Sequence, residues 1–492
     1  MIKLPLLKNR ETLKQIDFYD LKKPFSSATI FENAEKTLFY QIGEPEMSSE
    51  KQKLFQKILR ILNDSLNPEL FEKETDQEIK TEANKNKTVQ EKLKAEVLRL
   101  LHLYSIRLNE TDLAVFFYYI ERDFFGFSTV QPLLEDPEIE DISCSGPEIP
   151  IFIFHRKYGP MPTNIILSKN ETDTLIRKMA QCSGKSITVA EPMTDAVLPD
   201  GSRAQLTLGS EITTRGSTFT IRKFNENPFT PFELVQNGTF TPAAASYLWL
   251  CIESNMNMMF AGGTASGKTT SLNAFCRFIP INKKIVSIED TAEINLPHLN
   301  WISGISRERP NAGENQIGQI TLYDLLKASL RQRPEYILVG EIRGSEAYVL
   351  FQAMSTGHTT LSTMHAESVE TLIHRLENPP MNVPRVMIQT LDVLVILTQI
   401  ETGGRFHKKC LSIHEILETD PMTSEILTRE IFNSADGTPH TDREMFDLKK
   451  SSVLEKTRIR KGWTFEMLET EFEKRRRLIH NEGQTERANG AE

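Results

Sequence analysis

Cysteine is scarce in this sequence, with five residues among 492. The five are far apart in the chain, no C-x-x-C pair occurs, and no cluster of histidines accompanies them. This scarcity excludes a disulfide framework and gives no sign of a zinc site, so we expect a protein of the reducing cytoplasm that carries no zinc. The cysteines are Cys144, Cys182, Cys251, Cys276 and Cys410.

Long apolar runs are missing as well. No stretch approaches the roughly 20 apolar residues that a transmembrane helix needs. The N-terminal segment MIKLPLLKNRETLKQ also lacks the apolar run and the small-residue cleavage site of a signal peptide. These absences predict that any contact with a membrane is peripheral.

The sequence has no excess of positive charge. Lys and Arg number 58 against 67 for Asp and Glu, which gives a net charge of −9. This balance argues against a surface built wholly to bind nucleic-acid backbones. Charged residues make up 25% and apolar residues 39%, as in ordinary globular proteins, and at about 150 residues per domain the length predicts two to four domains.

The first part of the chain shows helical periodicity followed by shorter apolar segments. Leu54, Phe55, Ile58 and Leu62 recur at helical spacing, and the polar stretch EKETDQEIKTEANKNK after them predicts a solvated linker between helices. From about Leu133, short apolar segments bounded by turn residues predict a mixed α/β domain. A segment rich in Pro, Asn and Thr predicts a domain boundary near residues 225–241.

After that boundary, the apolar runs MNMMFAG, KIVSIED, EYILVGE, TLSTMH and DVLVILTQ alternate with helix-period stretches. This alternation predicts parallel strands covered by helices on both faces, a doubly wound α/β core. The predicted segments are a helical N-terminal extension with a polar linker (1–110), a smaller mixed α/β domain (111–224), an interdomain linker (225–240), the doubly wound core (241–410) and a charged, mainly helical C-terminal region (411–492).

A phosphate-binding motif follows the first of these runs. GGTASGKT satisfies G-x-x-x-x-G-K-[ST] and stands between an apolar strand and a helix-compatible segment, the context that the motif requires. Its backbone amides would surround phosphate oxygens, Lys268 would reach the outer phosphates of ATP, and the hydroxyl of Thr269 would bind Mg²⁺. The predicted nucleotide-binding residues are Gly262, Gly263, Thr264, Ala265, Ser266, Gly267, Lys268, Thr269 and Thr270.

Carboxylates end two of the later strands. Glu341 ends EYILVGE and is a candidate to orient or deprotonate an attacking water, because the carboxyl ends of parallel strands face the ligand crevice. Glu289 is a second catalytic candidate, and Asp290 is a candidate for Mg²⁺ through water. Glu293 follows closely, and the alternative is that these three are ordinary polar loop residues.

Histidines and arginines complete the candidate set. His365 ends TLSTMH and suits a sensor of the γ-phosphate, whereas His358 precedes that strand and fits a surface or cap role equally well. Arg203 and Arg222 lie in the preceding domain and are candidate arginine fingers, with a solvated strand-edge charge as the simpler alternative. Arg215 likewise could be an arginine finger or a solvated charge.

A basic run near the C-terminus could indicate a nucleic-acid or lipid patch. The run is Lys474, Arg475, Arg476 and Arg477. It lies late in a helix that begins with acidic residues, an arrangement that complements the helix dipole without any ligand.

Taken together, these motifs resemble those of the type II and type IV secretion ATPases. GGTASGKTT, VSIEDTAEI, YILVGEIRG and TGHTTLSTMHAES are similar, in order and spacing, to the Walker A, Asp box, Walker B and His box of that family. FGFSTVQPLLEDPEIEDISCSGPEIPIFIFHRKYG also resembles the start of the N-terminal domain of its archaeal branch, which includes pilus-assembly and archaellum motors. The resemblance covers residues 120–410.

The resemblance implies a RecA-like P-loop ATPase core and a homohexamer in the cytoplasm that works against a polytopic membrane platform protein and acts indirectly on pilin-like or secreted substrates. It assigns Lys268 and Thr269 to phosphate and Mg²⁺, Glu341 and Glu289 to catalysis, and His365 to phosphate sensing. Arg203 and Arg222 correspond to the arginines of the N-terminal domain. The sequence departs from the family in EDTAE, where a proline often follows the Asp, and in lacking the tetracysteine zinc module of many bacterial members.

Two other functions remain open at this point. A P-loop nucleic-acid motor of the translocase or helicase type is the main alternative, and a P-loop phosphotransferase is the weaker one. The net charge of −9 and the His box count against the first, so we expect no nucleic-acid partner. No acceptor-binding signature supports the second.

Overall fold

The computed structural model describes residues 13–65, 82–104, 106, 108–224, 228–307, 319–402, 405–420, 422, 425–434 and 448–489. The chain divides into two compact units, Met1–Lys223 and Phe224–Glu492. Each unit has a β-sheet and buried apolar clusters of its own.

Unit 1 is a mixed α/β unit whose sheet has the strand order β1-β2-β3-β6-β5-β4-β9-β8-β7. Its elements are β1 Lys14–Lys22, β2 Ser26–Glu32, β3 Leu38–Gly43, α1 Ser49–Ser65, α2 Glu82–Leu103, α3 Glu110–Phe124, α4 Gln131–Glu135, β4 Ile139–Cys144, β5 Pro150–His155, β6 Gly159–Ile166, α5 Lys169–Cys182, β7 Met193–Val197, β8 Arg203–Thr207 and β9 Thr218–Arg222.

The N-terminal part of unit 1 corrects the prediction of a helical extension over residues 1–110. Its residues 14–43 form β1, β2 and β3, and β3 joins the main sheet through Tyr40, which pairs with Thr163 on β6. The reason is a period-two pattern in SSATIFE, where Ala28 and Ile30 are buried while the side chains between them are less so. This alternation favours strands because it places the apolar side chains on one face of a sheet.

Helices α1 and α2 of the predicted extension form a small core together with α3, which the prediction placed in the following domain. Phe55 and Ile58 on α1 pack with Val97 on α2 and Phe116 on α3. The polar linker prediction fails for residues 82–87, which begin α2, and the remainder of that stretch lies outside the described residues.

Unit 2 contains a sheet with the strand order β12-β11-β13-β14-β10-β15-β16-β17. Its elements are α6 Pro231–Gln236, α7 Pro242–Glu253, β10 Met258–Gly262, α8 Lys268–Cys276, β11 Ile285–Glu289, β12 Trp301–Ile305, α9 Leu322–Ser329, β13 Tyr336–Ile342, α10 Glu346–Ser355, β14 Thr359–His365, α11 Val369–Glu377, α12 Arg385–Ile388, β15 Val393–Thr402, β16 Arg405–Thr419, β17 Ile426–Asn433, α13 Ser452–Lys461 and α14 Phe465–Asn489.

The six strands β10 to β15 are parallel to one another. Strands β16 and β17 extend the sheet beyond β15 in antiparallel pairing. One apolar cluster covers a face of this sheet with α7, α8, α13 and α14, and a second covers the other face with α9, α10 and α11. Strands buried on both faces need continuous apolar runs, which is why these segments lack alternation. The structure therefore confirms the doubly wound α/β core.

Two predicted boundaries of unit 2 differ from the structure. Leu234 and Phe240, placed by the sequence in a linker, are buried in the unit 2 core. The region after Leu411 is also less helical than predicted, because β16 continues to Thr419 and β17 follows. Local composition misplaced both boundaries because it does not record which distant segments pack together. Within the described residues, no helix is both long and apolar enough to cross a membrane.

Candidate functional site

The phosphate-binding motif forms a tight loop between the end of β10 and the start of α8. A Cβ atom on Gly262 would lie 2.3 Å from the carbonyl oxygen of Leu397, so no larger residue fits there. Gly267 has a φ of +87°, a left-handed conformation that glycine adopts without strain. The Ser266 hydroxyl donates to the carbonyl of Gly263 at 2.9 Å and closes the loop.

The other motif residues surround this loop. Thr264 and Ala265 are exposed at its tip, and Thr269 and Thr270 lie half-buried in the first turn of α8. The first turn of a helix presents backbone N–H groups that have no partner within the helix, which suits the binding of a phosphate.

Lys268, His365 and Glu341 form a hydrogen-bonded series beside the loop. Lys268 is buried, and its Nζ donates to the Gly263 carbonyl at 2.6 Å and lies 3.3 Å from Nδ1 of His365. Nε2 of His365 lies 3.1 Å from Oε1 of Glu341. An ammonium group has only donors, so Nδ1 of the imidazole accepts from Lys268 and Nε2 carries the proton that faces Glu341.

The sheet explains why these three residues meet. Gly262 at the end of β10 pairs with His365 at the end of the adjacent parallel strand β14, and Glu341 stands near the end of β13 on the far side of β14. Burial and the neighbouring Lys268 ammonium lower the pKa of His365, although Glu341 opposes this shift. The imidazole is therefore neutral near pH 7, and it can accept a proton or donate a hydrogen bond.

Glu289 has a different environment from Glu341. It is 2% exposed, and its Oε1 accepts from the backbone N–H groups of Glu293 and Ile294, both at 2.9 Å. The side chain of Asn273 on α8 holds the same turn, donating to the Glu293 carbonyl at 2.9 Å and accepting from the Asn295 N–H at 3.1 Å. These contacts fix the position of the Glu289 side chain at the end of β11, and its catalytic role stays a prediction.

Asp290 is engaged by two neighbours. Its carboxylate accepts from the Ser306 hydroxyl at 2.8 Å and forms an ion pair with Arg343, the first residue after β13. Binding of Mg²⁺ through water would have to compete with Arg343 for this carboxylate. Among the described residues, no cluster of three or more His, Cys, Asp or Glu side chains could hold a metal by itself.

His358 lies apart from the series, and the predicted arginines belong to the other unit. His358 precedes β14 at the opposite end of that strand, and its Nδ1 lies 3.2 Å from the Thr356 hydroxyl. Arg203 and Arg222 belong to unit 1, where they are paired in register on β8 and β9, with Arg203 half-buried and Arg222 exposed. Arg215 lies in the loop between these strands.

The C-terminal basic run is largely engaged within α14 and by α7. Arg475 pairs with Glu253 at 2.6 Å and with Glu471 at 2.5 Å, and its guanidinium lies 5.5 Å from the centre of the Trp249 ring. Arg476 pairs with Glu473 at 2.8 Å. Carboxylates of α14 and α7 therefore engage these two residues. The run stands in the middle of α14 and not in its last turns, so the predicted match to the helix dipole is wrong.

Two site residues escaped the sequence analysis. Glu367 follows His365 by two residues, and its Oε1 lies 3.0 Å from where a Cβ on Gly263 would be. Arg375 on α11 donates to the backbone carbonyl of His365. Glu367 lies within TGHTTLSTMHAES, the segment matched to the His box, which was an available signal, whereas nothing local marked Arg375.

The chain matches a known protein family over much of its length. The family model described as "Type II/IV secretion system protein" matches residues 169–455, more than half of the chain. The chain belongs to the type II/IV secretion system protein family. The resemblance drawn from the motifs is thereby confirmed.

Relatives in this family come from archaea and bacteria. An uncharacterized protein of Methanocaldococcus jannaschii is 38% identical over 362 residues, which are 73% of this chain and 64% of that protein. The probable conjugal transfer protein TrbB of Sinorhizobium fredii is 26% identical over 61% of this chain and 92% of its own length. Among solved structures, the ATPase DotB of Legionella pneumophila is 17% identical, with a TM-score of 0.43 over 68% of this chain and 92% of its own.

Proposed function

We propose that this chain binds ATP with Mg²⁺ and hydrolyses it, and that it does so as a hexameric ring at the cytoplasmic face of a membrane. The work of the ring would be protein secretion or the assembly of a pilus-like or archaellum-like filament, through a polytopic membrane platform protein. The observation that carries the ATPase proposal is the series Lys268, His365 and Glu341 beside the glycine-rich loop.

The loop fits a nucleotide phosphate chain because its glycines leave the backbone open. Lys268 supplies a cation to the outer phosphates, and the start of α8 supplies backbone N–H groups. Thr269 in the first turn of α8 and the carboxylates at the strand ends are the oxygen donors that Mg²⁺ prefers. When bound, Mg²⁺ would neutralise charge on the phosphates.

Glu341 is the proposed acceptor of the proton from water. It stands at a strand end, its side chain is 36% exposed, and His365 orients it through the hydrogen bond to Oε1. Transfer of Lys268 to a phosphate would release Nδ1 of His365 from its present partner. The histidine could then report that a phosphate has arrived.

Single substitutions separate binding from turnover. Lys268→Ala should lose nucleotide affinity, whereas Glu341→Gln should keep affinity and lose turnover by a factor on the order of a hundred, because an amide cannot accept the proton. Glu335→Gln is the matched control, since Glu335 precedes the same strand at its opposite end and is 47% exposed. Hydrolysis by Glu341→Gln at the control rate would rule out Glu341 as the base.

Arg203 and Arg222 of unit 1 are proposed as arginine fingers for this hydrolysis. Arg222→Ala in the full chain should lower turnover about a hundredfold without loss of nucleotide binding, as removal of an arginine finger does elsewhere. Arg215→Ala serves as the comparison from the adjoining loop. Equal and small effects of both substitutions would make the arginines structural.

Assembly and partner choice have separate tests. Light scattering should show a shift towards a hexamer with a non-hydrolysable ATP analogue, and a monomer in all nucleotide states would contradict the ring. The rate of hydrolysis should not respond to added DNA at low salt. Stimulation by DNA that disappears with added salt would instead favour the nucleic-acid motor.

A further inference from the structure

Lys408, which belongs to none of the recognised motifs, lies against the phosphate-binding loop. A Cβ atom on Gly267 would be 3.2 Å from Cδ of Lys408 and 3.8 Å from both its Cβ and its Cγ. The aliphatic part of this half-buried side chain therefore packs on the residue directly before Lys268. Long lysine side chains commonly bury the stem in this way while the ammonium stays at a polar surface.

The strand register places Lys408 at the level of the loop. Gly262, the last residue of β10, pairs with Leu397 on β15, and Leu397 pairs with Cys410 on β16. Lys408 pairs with Gln399, two residues further towards the carboxyl edge of the sheet than Leu397. It thus lies beyond the end of β10, where the phosphate-binding loop begins.

Lys408 lies on the face of the sheet that α8 covers. Cys410 and Leu397 belong to the apolar cluster that includes Leu272 and Cys276 of α8. Because side chains alternate along a strand, Lys408 lies on the same face as Cys410, and Lys409 lies on the opposite face. Lys408 therefore places a cation on the face of β16 that α8 covers. Lys409, the next residue, carries the same charge on the opposite face.

Lys408 and Lys268 approach the loop from opposite sides. In the sheet, β14 with His365 is on one side of β10, and β15 and β16 are on the other. Lys268 reaches towards β14, as its 3.3 Å distance to His365 shows, whereas Lys408 comes from β16. A phosphate chain bound in the loop with its terminal phosphate near His365 would have its inner phosphate on the side of Lys408.

We propose that Lys408 is a second phosphate-binding cation, which contacts the inner phosphate of a bound nucleoside diphosphate or triphosphate. The inference rests on the proposed nucleotide binding and adds a residue to that site. ADP and ATP share the inner phosphate, so loss of Lys408 weakens both to the same extent. A contact limited to the terminal phosphate would weaken only the triphosphate.

The test uses calorimetric binding of ADP and of a non-hydrolysable ATP analogue to the full chain. Lys408→Met removes the charge and keeps the stem that packs on Gly267, Lys409→Met is the matched control, and Lys408→Arg restores the charge. Lys408→Met should weaken both nucleotides about tenfold, Lys409→Met less than twofold, and Lys408→Arg should stay within about threefold of wild type.

Equal affinities of the Lys408→Met and Lys409→Met variants would overturn the proposal, as would a loss that Lys408→Arg fails to reverse. Lys268→Ala distinguishes failure of the proposed nucleotide binding from failure of the proposed role of Lys408. If the wild-type chain binds neither nucleotide, the proposed function fails and the inference fails with it. If the wild type binds and Lys268→Ala weakens binding while Lys408→Met does not, only the inference fails.

Discussion

Each unit contains a histidine within a hydrogen-bonded polar cluster, and the two clusters differ in access to solvent. In unit 1, His155 is 1% exposed, its Nδ1 accepts from the Lys157 N–H, and its Nε2 lies 3.3 Å from the Tyr19 hydroxyl. That hydroxyl and the hydroxyl of Tyr40 both donate to the buried carboxylate of Asp136, at 2.8 and 2.5 Å. In unit 2, the side chain of His365 is 40% exposed and lies between Lys268 and Glu341.

The comparison separates a structural cluster from a chemical one. Asp136 is fully buried, and its hydrogen bonds tie β1 and β3 to the segment before β4. The series Lys268, His365 and Glu341 stands at the carboxyl edge of a sheet. A bound ligand can there take the place of one hydrogen-bond partner of each side chain. Burial and access, rather than residue type, therefore decide which histidine can take part in turnover.

The largest expected effect is on the folding of unit 1. Asp136→Ala would remove the shared acceptor of the buried Tyr40 hydroxyl and the half-buried Tyr19 hydroxyl, which should lower the free energy of unfolding by about 3 to 5 kcal/mol. Hydrogen exchange of peptides from β4 and β6 measures this loss. All three tryptophans, Trp249, Trp301 and Trp463, belong to unit 2, so their fluorescence reports the unfolding of unit 2.

The control for that experiment is Asp20→Ala, which removes a carboxylate from an exposed ion pair with Lys23 and should change the unfolding energy by less than about 0.5 kcal/mol. Equal exchange rates in the Asp136 and Asp20 variants would contradict the structural interpretation of the buried cluster.

The next effect is on turnover, in the proposed ATPase site of unit 2. His365→Ala should slow hydrolysis about a hundredfold, or about 2.7 kcal/mol in the barrier, because Glu341 loses the group that orients it. The tryptophan unfolding transition should stay in place, since His365 is partly exposed. His358→Ala is the control, and an equal loss in both variants would remove the special role of His365.

The pH dependence of stability gives a third contrast. Burial lowers the pKa of His155 to about 4, below the 6.5 of an unfolded histidine. Between these values the unfolded state binds more protons, so stability falls as the pH falls. The loss attributable to His155 is about 2 kcal/mol between pH 7 and pH 5. Hydrogen exchange in unit 1 of wild type and His155→Gln measures it, and identical pH slopes would show that His155 does not titrate in this way.

The smallest effect concerns the carboxylate of Glu367 near Gly263. Its charge should repel a bound phosphate in the absence of Mg²⁺, so Glu367→Gln should tighten ADP binding in chelator by about two- to threefold. Glu370→Gln, on the first turn of α11, is the control. Weaker ADP binding by Glu367→Gln would mean that this carboxylate acts as an acceptor for the bound nucleotide rather than as a repelling charge.

Much of unit 2 could be predicted because its signals are local. Each of five apolar runs became a strand, and the glycine-rich loop lies between β10 and α8 as the motif requires. The sequence predicted that Glu341 and His365 both end strands, but it did not predict the hydrogen bond between them. Parallel strands bring their carboxyl ends to one edge, and this general property of sheets was enough to place both residues near the loop.

Other features of the molecule could not be read from the local pattern. Glu289 ends its strand as a catalytic carboxylate might, and only the structure shows that the backbone N–H groups of Glu293 and Ile294 donate to its side chain. Residues 14–43 carry a clear alternation only in the short segment SSATIFE, and the partners that fix the position of β3 are distant in sequence, namely Asp136 and β6. In both cases local pattern is compatible with several structures, and packing selects one.

The sequence by itself determined the doubly wound core, the position of the phosphate-binding loop and membership of the secretion ATPase family, because these depend on residues close together in the chain. Only the tertiary structure decided that Lys408 packs on Gly267 and that Asn273 holds the turn at Glu293. It also decided that His155 is buried while His365 is partly exposed to solvent. These properties depend on strand register and on burial, and both are set by contacts between residues far apart in the chain.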